Sequence, residues 1–140
     1  MSEACVFCRV LAGELPASIV HEDDRCVAFL DLFPVHEGHT LVVPRQHVPD
    51  LRHCPGDLAG HLFVVARDLA PAVVAATGAD GFNIWTAAGH AAGQTVFHLH
   101  LHVLPRFKGD GFGPRLPKAH PRESPRPDLD LMASRIRSGG

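Results

Sequence analysis

The chain has 140 residues, 46% of them hydrophobic and 20% charged, which is enough for one ordinary core; no apolar run approaches the roughly 20 residues of a membrane-spanning helix. A formal charge of −2, with 11 histidines counted as neutral, gives no general attraction for a nucleic-acid backbone; neither nucleic acid nor membrane is an expected partner, and a small anionic ligand needs only a local pocket. No basic stretch followed by an apolar one opens MSEACVFC, so the cytoplasm is the expected compartment, where Cys5, Cys8, Cys26 and Cys54 stay reduced and metal binding or burial outweighs a disulfide framework.

Cys5-Val-Phe-Cys8 heads the apolar-periodic stretch RVLAGELP, which Gly13 and Pro16 end, predicting one or two helical turns. Ile19–Val20 and Cys26–Leu32, separated by the acidic turn His21 to Arg25, read as a hairpin. Asp31 stands at the end of its second strand, either as an exposed turn residue or as a ligand contact. A turn cluster from Phe33 to His39 leads into the short apolar strand Thr40–Pro44, with His36, His39 and His47 flanking it. From Pro55 to Thr77, Leu58, Leu62, Val65, Leu69 and Val73 recur at spacings of three and four, the helical period. Pro71 is expected to kink or shorten that helix, and Asp57 to serve as its N-cap or first-turn anion. Gly81 to Ala87 alternates like a strand. The small-residue loop Ala88-Gly-His-Ala-Ala-Gly93 then allows backbone to approach a ligand closely. Beyond Arg106, Pro114, Pro117, Pro121, Pro125 and Pro127 break residues 113–127 into an expected extended arm, and Leu129 to Ile136 predicts a last helical turn or two.

Val96 to Arg106, VFHLHLHVLPR, carries the chemistry. Read as a strand, it places His98, His100 and His102 on one face about 6.7 Å apart, with Phe97, Leu99, Leu101 and Val103 docked on a core. Imidazole titrates near neutrality and acts as base, nucleophile or metal ligand. An ordinary amphipathic strand would fill its polar face more readily with Lys, Thr or Glu.

Gly93-Gln94-Thr95 precedes His98-Leu-His100-Leu-His102-Val-Leu, and Pro105-Arg106 follows it. This His-φ-His-φ-His-φ-φ pattern resembles the signature of the histidine triad (HIT) superfamily, and Cys5 to about Arg106 is similar to its histidine triad nucleotide-binding branch. The resemblance implies an α+β fold: a five-stranded antiparallel sheet with one long and one short helix in two layers, over residues 1–112. A Pro/Arg-rich extension, 113–140, follows. It also implies a homodimer that binds purine nucleotides and cleaves at the α-phosphate of nucleoside phosphoramidates or dinucleoside polyphosphates through a covalent nucleotidyl-histidine. His100 would be the nucleophile, with His98 and His102 orienting it or donating to phosphate oxygens, and Gln94 and Thr95 near the phosphate and leaving group. Asp31 would hold the ribose hydroxyls. Val6, Phe7, Val10, Phe29, Leu30 and Leu32 would wall the base pocket, and His39 and Gly93 would complete the nucleotide site. Ala87 departs from the asparagine of many relatives, with His90 as its substitute.

Cys5 and Cys8 have the spacing of half a zinc site. The resemblance supplies His47 and His98 as the other two ligands of a structural zinc. Cys54 beside His53 is a weaker ligand pair. Two further readings stay open: a non-catalytic nucleotide-binding or partner-binding module, and a catalytic zinc held by all three histidines of the strand.

Overall fold

Two strands of the sheet are apolar at nearly every position because both of their faces are covered over most of their length. The structure is a computed structural model that describes residues 5–139; Met1 to Ala4 and Gly140, which fall in the expected units 1–112 and 113–140, lie outside them. Five strands, β1 (Ile19–Glu22), β2 (Cys26–Leu30), β3 (Thr40–Pro44), β4 (Gly81–Trp85) and β5 (Leu101–Arg106), form one antiparallel sheet in the order β1-β2-β3-β5-β4. Alternation sorts the side chains of β2 and β3. Cys26, Ala28 and Val42, with Leu101 and Val103 of β5, turn to one side; Val27, Phe29, Leu41 and Val43 turn to the other.

The first side receives α2 (Gly56–Thr77) through Leu58, Leu62, Val65, Ala66 and Ala70. By length and composition this helix could cross a membrane, contrary to the expectation that no segment reaches that length; a stripe of its apolar side chains instead packs on the sheet. Pro71 does not shorten it. That residue is exposed, so the carbonyl one turn back, left without a helical donor, faces solvent. Asp57 is a first-turn anion and not the N-cap, which is Pro55. The second side receives α1 (Val6–Leu11), whose Phe7 joins Val27, Phe29, Leu41 and Val43.

The histidine stretch departs from the expected strand. Pairing with β3 begins only at Leu101, and residues 96–100 are irregular. Phe97, expected in the core, is half-exposed against the ring of His90, at 4.7 Å between centroids. The chain divides into two compact units, Met1–Asp110 and Gly111–Gly140. In the second, α3 (Arg126–Arg137) is longer than the predicted Leu129–Ile136 and takes up the end of the expected arm, with Pro127 in its first turn, where a missing N–H costs nothing.

Leu62 and Leu101, both fully buried, tie α2 to the sheet. Truncating either to alanine should cost about 2–5 kcal/mol, whereas Phe63→Ala, on the exposed side of α2, should cost far less. Denaturant midpoints of the three variants check the assignment.

Candidate functional site

His98 is fully buried, with its ring spanning two partners. Nε2 donates to the carbonyl of Pro44 at 2.8 Å. The ladder between β3 and β5 stops at Val42 and Leu101, so this imidazole takes a carbonyl beyond the last strand pair. With its proton on Nε2, Nδ1 carries a lone pair. It faces Cys5 Sγ at 3.4 Å, Cys8 Sγ at 3.5 Å and His47 Nδ1 at 3.1 Å, and Cys8 Sγ lies 3.2 Å from His47 Nδ1. All four donor atoms fall within 4.8 Å of one another. Separations a little over 3 Å are the edges of a tetrahedron around an ion with metal–ligand bonds of roughly 2.0–2.3 Å. The donor set and the backbone-fixed tautomer both fit zinc. Cys5 also caps α1, its Sγ accepting from the Cys8 N–H at 3.4 Å.

His100 is fixed by its neighbour: Nδ1 donates to the His98 carbonyl at 2.8 Å, so its Nε2 is a lone-pair nitrogen. The His100 carbonyl accepts from Thr86 Oγ1 at 2.8 Å, and Phe7 meets the ring edge-on at 5.0 Å. His102 belongs to a separate chain of bonds. The Val35 N–H donates to His39 Nδ1 at 3.2 Å, which leaves His39 Nε2 to donate to His102 Nδ1 at 2.9 Å. By elimination the proton of His102 sits on Nε2. Trp85, paired with His102 across β4 and β5, stacks on its ring at 4.3 Å and 7°. The three imidazoles thus turn to three different partners, which overturns the reading of a zinc shared by all of them.

Several expected contacts are corrected by burial. Gln94 is 3% exposed, with Nε2 donating to Pro49 O at 2.6 Å and Val96 O at 3.1 Å while Oε1 accepts from the Gly89 N–H at 2.8 Å. Its amide holds the loop together and is not turned to a phosphate. His39 is 3% exposed and acts on His102, not on an open nucleotide site. Leu32, at 83% exposed, and half-exposed Val6 and Leu30 are not core, while Phe7 and Phe29 are buried together; Val10 packs beside them half-buried. Asp31 is half-buried. Its Oδ1 accepts from the Phe33 N–H at 3.0 Å, and its Oδ2 lies 3.6 Å from His39, beyond hydrogen-bond reach. Thr95 and His90 are exposed, and Gly93 has the positive φ of 93° that closes the loop. His53 pairs with Asp50 while the Cys54 thiol bonds Pro55 O, so those two do not form a ligand pair.

Trp85, Thr86 and His39 hold the triad's rings and backbone. None was given that role from sequence, since the alternation at Gly81 to Ala87 marks a strand but not the register that sets Trp85 beside His102.

Burial keeps the cluster neutral. It lowers the proton affinity of His39, His98, His100 and His102 below the ordinary imidazole value, and neighbouring rings add to the effect for His102, which falls to about 4. The carbonyl of His98 and the charge of Asp31 pull His100 partly back.

The family model of the HIT domain matches residues 12–109. Protein hit of Bacillus subtilis is 38% identical over 136 residues, 96% of this chain and 93% of that protein. Adenylylsulfatase HINT3 of Arabidopsis thaliana is 40% identical over 106 residues, 76% of this chain and 54% of that one. The crystal structure of a zinc-bound histidine triad family protein from Mycobacterium smegmatis superposes with a TM-score of 0.75 at 36% identity, covering 98% of each chain.

The sign of the His102 shift predicts a pH window. The unfolded chain takes a proton near pH 6.5 that the folded state refuses until about 4, so stability is full above that window and declines as pH falls through it. The loss amounts to about 3 kcal/mol at most. His102→Gln, which cannot titrate, should show a shallower fall in melting temperature between neutral pH and about pH 4.5. Parallel declines would assign the loss to other groups.

Proposed function

The chain belongs to the HIT family, and from that premise we propose that it is a nucleotide-binding hydrolase. It cleaves at the α-phosphate of purine nucleoside phosphoramidates or dinucleoside polyphosphates through a covalent nucleotidyl-histidine at His100. The observation that carries this reading is the bond from His100 Nδ1 to the His98 carbonyl, which leaves Nε2 as a lone pair on a ring that burial keeps neutral. A neutral imidazole so fixed is a competent nucleophile toward phosphorus. Nε2 attacks the α-phosphorus, the bond to the amine or phosphate leaving group breaks, and the leaving group departs with a proton, for which the exposed Thr95 hydroxyl is the donor this reading assigns. Water then cleaves the phosphorus–nitrogen bond and releases the nucleoside monophosphate. His102, with its proton assigned to Nε2, is a donor for the phosphate oxygens, and donors aimed at developing charge contribute most in a water-poor site. Asp31 holds the ribose. The adenylylsulfatase among the relatives favours an adenylyl group as the unit transferred.

The same reading makes the protein a cytoplasmic homodimer, with one structural zinc on Cys5, Cys8, His47 and His98; the zinc-bound relative supports that site. When bound, the ion joins the start of the chain to the segment after β3 and to the His98 backbone that orients His100.

Three outcomes follow. His100→Ala should abolish turnover of an adenosine phosphoramidate, by at least about a thousandfold, while AMP binding survives, and mass spectrometry of the quenched parent enzyme should find an adenylyl group on His100. Intact binding with no turnover in the parent itself would make the protein a binding module. Asp31→Ala should raise KM with kcat nearly unchanged, because a ribose contact is made in ground and transition states alike. Protein purified without chelator should hold about one zinc at this site and melt at a lower temperature once it is removed, since ligand affinity adds to folding free energy; identical melting with and without EDTA would remove zinc from the account.

A further inference from the structure

Asp23, in the turn between β1 and β2, gathers three side chains on one oxygen. Its Oδ2 lies 2.7 Å from His21 Nε2 on β1, 2.9 Å from His61 Nε2 on α2 and 3.5 Å from the buried thiol of Cys26 on β2. Its Oδ1 accepts from the backbone N–H groups of Arg25 and Cys26, each at 2.8 Å. Two backbone donors on one oxygen stop the carboxylate from rotating, so the position of Oδ2 is set by the turn itself. None of these side chains takes part in the triad or in the Cys5, Cys8, His47 and His98 cluster.

We propose that His21, Asp23 and His61, with the sulfur of Cys26 behind them, form a second cation site for a borderline divalent ion such as Zn²⁺. Two imidazoles and a carboxylate are a donor set that suits such an ion. Atoms bound to one tetrahedral ion stand roughly 3.3 Å apart at metal–ligand distances near 2.0 Å. The two imidazole nitrogens therefore need to withdraw from Oδ2 by about half an ångström, and the His61 ring, which stands outside the group of donor atoms formed by His21, Asp23 and Cys26, must also swing toward them. His21, Asp23 and Cys26 already place their donor atoms within 4.8 Å of one another. Access is open: the side chains of His21, Asp23 and His61 are 34%, 24% and 30% exposed.

The surrounding charge does not oppose a cation. Arg45 donates to the Asp23 carbonyl and pairs with Glu22 at 3.0 Å, and Arg25 pairs with Asp57 at 3.1 Å. Three carboxylates, Glu22, Asp23 and Asp57, thus face two guanidinium groups. In the metal-free form each imidazole Nε2 holds a proton against Oδ2; on binding, each ring shifts that proton to its Nδ1, and the freed Nε2 lone pairs take the ion. It would clasp the first hairpin to the long helix, so its binding adds to stability.

The experiment counts zinc. Parent protein, His61→Gln and the double variant His21→Ala, His61→Ala are stripped of metal, titrated with ZnCl₂ by calorimetry, and melted with and without excess zinc. The parent should bind one more equivalent than the double variant and gain melting temperature with the last equivalent added. His61→Gln, a change on the surface of α2, should bind that equivalent at least tenfold more weakly. Asp23→Asn, which keeps an Oδ1 acceptor for the turn, should also lose it. Equal stoichiometry in parent and double variant, or an undiminished affinity in His61→Gln and Asp23→Asn, would overturn the proposal, since the zinc would then sit on other histidines.

Discussion

The imidazole of His98 is the joint on which the site depends. Its Nε2–H takes the Pro44 carbonyl just past the last β3–β5 pair, its Nδ1 faces Cys8 of α1 and the capping Cys5, and the backbone carbonyl of the same residue fixes the tautomer of His100. Burying a polar ring with any of these left unmade would cost the desolvation of that group, on the order of 1–3 kcal/mol. No buried side-chain nitrogen or oxygen among the described residues lacks a partner. One residue, by its ring and its carbonyl, therefore couples the end of a strand, the start of the chain and the protonation state of the next histidine.

The sheet makes this joint possible by separating two jobs. One face is given to α2, through a mainly aliphatic core, and supplies most of the burial. The other is covered by short α1, whose Phe7 lies edge-on to Phe29, His98 and His100. Aromatic edges set against imidazole rings exclude water without offering a proton. The charge-neutral state of the histidines follows from that packing, and the His98 carbonyl, with Asp31 past the end of β2, draws His100 partly back toward its ordinary value.

Much of this was legible in sequence, and the exceptions have physical causes. The period-3.6 pattern gave α2 within a residue, because a single wide apolar stripe is buried by one sheet face. The Thr40–Pro44 strand was equally plain, being apolar at nearly every position. The histidine stretch misled. Strict alternation from Phe97 to Val103 predicts a strand, yet His98 and Leu99 are both buried, because His98 packs inward to reach Pro44 and the chain joins the ladder only at Leu101. Periodicity records which residues are apolar and cannot record a buried polar ring with a tertiary partner. The resemblance set Gln94 near the phosphate, and it carries no record of the three hydrogen bonds that tie this amide into its own loop. The four converging metal ligands were named in full, but by resemblance; spacing alone offered only the two cysteines.

His102 illustrates how support can be remote from the motif that announces a site. Nothing within His98 to His102 determines which nitrogen of His102 carries the proton. That is decided by the backbone N–H of Val35, which occupies His39 Nδ1 and so forces the His39 proton onto Nε2 and into the bond with His102. The turn cluster between β2 and β3 thereby sets a tautomer on β5, and Trp85 on β4 fixes the plane in which that ring lies. Removing Trp85 would take away the stacking face on which the His102 ring rests. Orientation and protonation of one imidazole are thus under the control of a neighbouring strand and a neighbouring turn, and a substitution in either can change the chemistry of His102 without touching the triad.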